Sequence, residues 1–193
     1  ALKGRITASL NKIGFLPKNI PDKVMQIASQ LWKQCLPERL LEYRDRYEHH
    51  LILKMSDDGI QEAERYLADF FVDQDRHRGA YFRCSSDEAK KAYLHRFAAA
   101  GAAIRYQVMH EKEVDDILAL DIALRRNDPD WVEKLPTEIK QEMLATLYYG
   151  HFLCHVFHQD YIVRKGANTK LLKQKMLELL EDKGAKYPAE HNV

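Results

Sequence analysis

The stretch Tyr148 to Val163 constrains the fold most. It reads Tyr-Tyr-Gly-His-Phe-Leu-Cys-His-Val-Phe-His-Gln-Asp-Tyr-Ile-Val, dense in the aromatic and β-branched side chains that suit a pleated, half-buried surface. It is the longest strand of the chain, or two strands with a bend, so a sheet belongs to the fold. Helical and strand patterns alternate around it. Ser56-Asp-Asp-Gly offers cap chemistry before Ile60, Ala63, Leu67, Phe70 and Phe71, which recur at helical spacing up to the polar turn Asp73 to Gly79. Ser85-Ser-Asp-Glu88 matches a capping box before an Ala-rich helix that Gly101 closes. Val114, Ile117, Leu118 and Ile122 predict a helix that delivers Arg125 and Arg126 at its end. Thr137 to Leu147 predicts another. Thr169 to Asp182 predicts a last helix, with Leu171, Leu172, Met176, Leu179 and Leu180 inward and Gly184 as its stop. Alternation at Leu51, Leu53 and Met55, and the short runs Ala80 to Cys84 and Ile104 to Val108, predict strands. There is no Gly-rich nucleotide-binding turn, internal repeat or low-complexity tract. The expected class is α+β, a mixed or antiparallel sheet with helices packed on one face.

Charge divides the chain further. Overall, 30 Lys and Arg nearly balance 29 Asp and Glu. The first 36 residues, however, carry Lys3, Arg5, Lys12, Lys18, Lys23 and Lys33 against the single acid Asp22. There Leu2, Ile6, Leu10 and Ile13, and then Val24, Ile27, Ala28 and Leu31 with Trp32 beside them, predict two short amphipathic helices punctuated by Pro17, Pro21 and Pro37. Lysines scattered among aliphatic residues, without Arg-rich runs or aromatic stacking platforms, fit an anionic membrane surface better than nucleic acid. The uncharged stretches Phe97 to Ile104 and Leu147 to Gln159 fall short of the roughly 20 apolar residues of a spanning helix. Cys35, Cys84 and Cys154 have no C-x-x-C spacing, which argues against a disulfide scaffold or zinc finger and for a reducing compartment. The Ala start and the Tyr187-Pro-Ala-Glu-His-Asn-Val193 ending lead us to expect a piece of a longer chain.

The densest chemistry is at His151, Cys154, His155, His158 and Asp160, with Glu190-His191 far later. In one unbroken strand, His151 and His155 would share a face and His158 would take the other, unless a bend re-aims them. Two readings stand side by side. One is sheet histidines satisfied by backbone carbonyls; the other is an imidazole and carboxylate site for an anion, a metal or a transferable proton. Arg125-Arg126 reads as a carboxylate or phosphate clamp, or as two cations complementing a helix end.

Several long segments together resemble one family. They are Tyr47-Glu-His-His-Leu-Ile-Leu-Lys-Met55, Leu94 to Arg105, Asp116 to Arg126, Tyr148 to Val163 and Tyr187 to Val193. They resemble the bacterial quinone-dependent D-lactate dehydrogenases, peripheral membrane flavoenzymes built from an FAD-binding domain, a cap domain and an electropositive helical membrane-binding segment. The resemblance implies that residues 1–46 are the membrane-binding segment and residues 47–193 the cap, truncated before its return to the FAD-binding domain. It implies FAD held outside this chain, oxidation of D-lactate to pyruvate and electron transfer to quinone at the cytoplasmic face of the bacterial inner membrane. Hydride would pass to the flavin while a base takes the hydroxyl proton. Relatives place two histidines seven residues apart and a Glu-His pair around the substrate. This makes His191 the candidate base, with His151, His158 and Glu190 as substrate hydrogen-bonding groups or metal ligands, and Arg125 or Arg126 as the carboxylate grip. The loop here, Phe-Leu-Cys-His-Val-Phe, departs from the Gly- and Asp-rich loop of those relatives and leaves the metal open. Two alternatives are a stand-alone peripheral membrane module without catalysis and an α+β metal protein using His151, Cys154, His155 and His158.

Overall fold

A computed structural model describes Ile20, Lys23, Val24, Gln26, Ile27 and residues 36–72, 78–130 and 133–189. Lys3, Arg5, Lys12, Lys18, Lys33, Glu190, His191 and most of the two expected basic helices lie outside the described residues. The chain divides into two compact units, Trp32–Ala99 and Ala1–Leu31 with Ala100–Val193.

The first unit holds α1 (Glu38–Arg46), α2 (Asp58–Phe70) and α3 (Ser86–Ala100). The capping box forms as its residue types require. The Ser85 N–H donates to Glu88 Oε2 at 2.7 Å, and the Glu88 N–H donates to Ser85 Oγ at 3.3 Å. The same carboxylate receives Arg39 Nε at 3.1 Å and Nη2 at 2.6 Å, a bidentate pair tying α1 to α3. Arg39 lies 4.1 Å from the Phe82 ring centroid, and Tyr43 meets Phe82 edge-on at 4.6 Å. Among the described residues, the strands expected at Leu51 to Met55 and Ala80 to Cys84 are absent, and both segments run without ladder partners. Alternation alone does not make a strand when no neighbouring edge accepts its backbone groups.

The second unit is built on a three-stranded antiparallel sheet of β1 (Val114–Ala123), β2 (Met143–His151) and β3 (Val156–Arg164), in the order β1-β3-β2. Two short helices, α4 (Ala102–Met109) and α5 (Thr137–Lys140), precede β1 and β2, and α6 (Thr169–Lys183) follows β3. Several expectations are corrected here. Val114 to Ala123 is a strand, because Leu118, Leu120 and Ile122 alternate into the core. Ile104 to Val108 is helical within α4, and the helix expected over Thr137 to Leu147 stops at Lys140. Helices flank both faces of the sheet. On one face, Leu172, Met176 and Leu180 of α6 pack against Leu118, Leu120, Ile122, Tyr161 and Val163. On the other, Ala103 of α4 packs against Val114 and Ile162. Ile162 and Val163 have no exposed surface. In α6, Leu171 and Leu179 point outward, against expectation, while Leu172, Met176 and Leu180 at i, i+4 and i+8 form the buried stripe. Asn168 caps α6 through Leu171 N–H at 3.1 Å, and Gly184 ends it at φ 72°, a left-handed position that suits glycine.

Glu88 gives the first unit an acid-range pH dependence. The Arg39 guanidinium, then the Ser85 N–H, lowers its carboxyl from the ordinary 4.5 to about 2. Because the folded value is depressed, its contribution is fully present above the ordinary value and disappears as pH falls from about 4.5 through about 2. We expect Glu88→Gln to lower the urea midpoint at neutral pH, with the gap from the unsubstituted chain closing across that acid window.

Candidate functional site

The Tyr148 to Val163 run is a hairpin rather than one strand. A 3-10 turn at Phe152–Cys154 joins β2 to β3, and His155 takes a left-handed φ of 53°. Cys154 Sγ donates to the His151 carbonyl at 3.4 Å, while the His155 carbonyl receives the Leu124 N–H at 3.0 Å. The bend resets the alternation that would have split the histidines. His151 pairs with Val156, and Tyr149 pairs with His158, which also pairs with Asp121 on β1. His151, Tyr149, His158, Asp160 and Asp121 thus share the sheet face that α4 partly covers. The His151 and His158 rings meet edge-on with centroids 5.8 Å apart. Gly150 makes room for the hairpin core: a Cβ there would lie 2.7 Å from the Phe157 ring of its paired residue.

Asp121 orients His158. Nδ1–H of His158 donates to Asp121 Oδ1 at 2.5 Å, a contact open to solvent on both sides. A carboxylate on Nδ1 fixes the tautomer and the orientation of the ring. Beside the pair, burial first and then the Asp121 charge push the Asp160 carboxyl up, opposed by His158. Burial, then Asp160, likewise raises the Tyr149 phenol, so it remains a neutral donor. The Tyr149 hydroxyl is buried without a hydrogen-bond partner among the described residues.

His155 belongs elsewhere. Its Nδ1 lies 3.2 Å from the Arg125 carbonyl, binding the hairpin turn to the chain that leaves β1. Arg125 and Arg126 therefore follow a strand and not a helix end. The Arg125 guanidinium packs over Gly184, where a Cβ would sit 2.2 Å from Nη2, and Arg126 is exposed in the adjoining turn. The segment after α6 runs back along β1. Ala123 and Lys186 exchange backbone hydrogen bonds of 2.8 and 2.9 Å, and the Ala189 N–H donates to the Asp121 carbonyl at 2.9 Å. The last described residue before Glu190-His191 is thereby tied to the residue that orients His158.

Among the described residues, no group of three or more His, Cys, Asp or Glu side chains is arranged to hold a metal ion. This removes the support for a metal site made of His151, Cys154, His155 and His158. Glycines are scattered singly, and no Gly-rich turn joins a strand to a helix among the described residues. No described helix is long and apolar enough to cross a membrane. Of the candidate membrane-contacting cations, Lys23 is described and pairs with Glu111 at 2.8 Å; Val24 and Ile27 beside it are exposed. Sequence reasoning missed Asp121 and Tyr149, because the β1 segment carries a competing helical pattern and Tyr149 looked like one more strand aromatic.

Tyr149→Phe deletes a buried hydroxyl that lacks a partner, so we expect it to be neutral or stabilising by about 1–3 kcal/mol in urea denaturation. Destabilisation of that size would mean that the hydroxyl is bonded in solution.

The family described as D-lactate dehydrogenase, membrane binding, matches residues 1–193. The chain is 56% identical over 192 residues to a quinone-dependent D-lactate dehydrogenase of Escherichia coli, covering 100% of this chain and 33% of that protein. It is 53% identical over 193 residues to the Haemophilus influenzae protein of the same name, covering 34% of it. Against that of Corynebacterium glutamicum it is 42% identical over 182 residues, covering 94% of this chain and 32% of the relative. The chain thus spans about a third of the length of the curated relatives it matches. Matched along its whole length, it belongs to the D-lactate dehydrogenase membrane-binding family.

Proposed function

We propose that this chain is the cap and membrane-binding portion of a respiratory, FAD-dependent D-lactate dehydrogenase that oxidises D-lactate to pyruvate and passes electrons to quinone. Residues 1–46 are its basic membrane-binding segment and residues 47–193 its cap. It works as a peripheral protein on the anionic, cytoplasmic face of the bacterial inner membrane. The observation that carries the reading is the full-length match to a membrane-binding family whose relatives bear the name quinone-dependent D-lactate dehydrogenase. The exposed Val24 and Ile27 in the basic segment add to it, since an apolar pair left open beside cations suits a lipid surface. FAD is assigned to the part of the parent enzyme outside these residues.

In this reading the sheet face with His151 and His158 receives the 2-hydroxy acid. The carboxylate is gripped by Arg125 or Arg126, whose planar guanidinium suits two-point binding. His151, His158 and Glu190 hydrogen-bond the substrate, with a metal between them left open, and His191 takes the hydroxyl proton. Two contacts support this arrangement: Asp121 holds His158 by Nδ1, and the Asp121 carbonyl receives the N–H of Ala189, the last described residue of the chain. An imidazole works as a base near neutral pH with little tuning.

In the full-length enzyme, His191→Ala should lower the maximal rate by about two orders of magnitude with D-lactate binding changed much less. Near-normal turnover would remove His191 from the mechanism. This 193-residue chain, mixed with FAD, D-lactate and a quinone analogue, should reduce nothing; flavin-dependent turnover would show that it holds a complete site.

A further inference from the structure

The second half of α3 carries charge and apolar surface in an unusual combination. From Ala89 to His110 the sequence contains Lys90, Lys91, Arg96 and Arg105 and no Asp or Glu, although the whole chain is nearly balanced in charge. Within that window Leu94 and Phe97 lie three residues apart, on one face of α3, and each is 67% exposed. Lys90 stands one turn before Leu94 on that face and is exposed, and the Arg96 guanidinium lies 5.0 Å from the Phe97 ring centroid. The two acids that open α3 are already engaged, Glu88 by Arg39 at 2.6 Å and Asp87 by Lys91 at 2.6 Å. The solvent next to Leu94 and Phe97 therefore meets cations and apolar groups and no unpaired carboxylate from this helix.

Isolated exposed apolar residues are ordinary on protein surfaces. A bulky pair within one helical turn, with only cations as charged residues in the surrounding stretch of sequence, has the composition of a helix lying in a lipid interface, where basic side chains reach phosphates and apolar ones enter the acyl boundary. Resting on the membrane-binding reading above, we propose that Leu94 and Phe97 insert into an anionic bilayer, with Lys90 and Arg96 at the phosphate level. α3 is then a second membrane contact, outside residues 1–46. Attraction by the cations of either contact is screened by salt, whereas burial of Leu94 and Phe97, like that of Val24 and Ile27, is not.

Co-sedimentation with vesicles of phosphatidylcholine and phosphatidylglycerol at low and high salt separates them. The unsubstituted chain should keep part of its binding at high salt. The neutral double variant Leu94→Gln, Phe97→Gln should lose the share of that salt-resistant binding that α3 supplies, a drop of roughly tenfold in partitioning. Phe97→Trp should keep it, and its added emission should shift to the blue when vesicles are present. A double variant that binds like the unsubstituted chain at high salt, or an unshifted Phe97→Trp, overturns the insertion while leaving membrane binding intact. An unsubstituted chain that binds no vesicles overturns both.

Discussion

The second unit depends on the two-sided pairing of β3. β1 and β2 meet only through it, and its side chains supply both cores: Tyr161 and Val163 toward α6, Ile162 toward α4. A strand buried on both faces and bonded along both edges has the least freedom of any element in the unit. Its polar residues are accordingly held hard. Tyr161 Oη donates at 2.8 Å to Glu133, which also receives Tyr148 Oη at 2.7 Å, so the segment before α5 is latched to the sheet. Burial and then Glu133 raise the Tyr148 phenol to about 12, so the donor that makes this latch does not ionise at physiological pH. His158 inherits the same rigidity, because the ladder that buries Ile162 also sets the face and height of the imidazole.

Two helix ends were legible in the sequence. Ser85 with Glu88 and the Gly184 stop each name a local bond or backbone conformation, and local chemistry does not wait for tertiary context. The β1 segment was not legible by the same means. Val114, Ile117, Leu118 and Ile122 satisfy a helical period, while Leu118, Leu120 and Ile122 satisfy a period of two. The bulge between Val114 and Asp116 hides the second pattern at its start. Only pairing with β3 decides between them. The misreading had a cost for the site, since Asp121 becomes a neighbour of His158 only when both lie in strands. The reverse error at Ile104 to Val108 has the same origin: β-favouring side chains follow the helical register begun at Ala102, and Ala103 finds a place on the sheet.

The first unit is assembled by different forces. Among its described residues only Ala92 is buried. In place of a core it has the Arg39 and Glu88 pair and a chain of ring contacts, including Tyr43 on Phe82 and Phe71 on Tyr81 at 6.1 Å. Leu51, Ile52, Leu53, Met55, Leu94 and Phe97 stay in contact with solvent. An exposed ion pair contributes little by itself, so a unit of this kind gains most by covering its open apolar residues. The lipid contact proposed for α3 is a covering of that kind.

Asp121 joins the two parts of the sequence that the catalytic reading needs. Its carboxylate takes Nδ1 of His158, and its carbonyl takes the N–H of Ala189. These groups point in different directions from one residue, the first out of the sheet and the second along its plane, so both bonds form without competition. Register does the rest. The hairpin turn brings His151 back over His158, and the return of the chain along β1 through Lys186 brings the end of the described segment to Asp121. Residues more than thirty positions apart in sequence thus reach one sheet face and its edge by backbone pairing alone. The imidazoles of His151 and His158 are therefore set on one rigid sheet face beside Asp121 by register and not by local sequence.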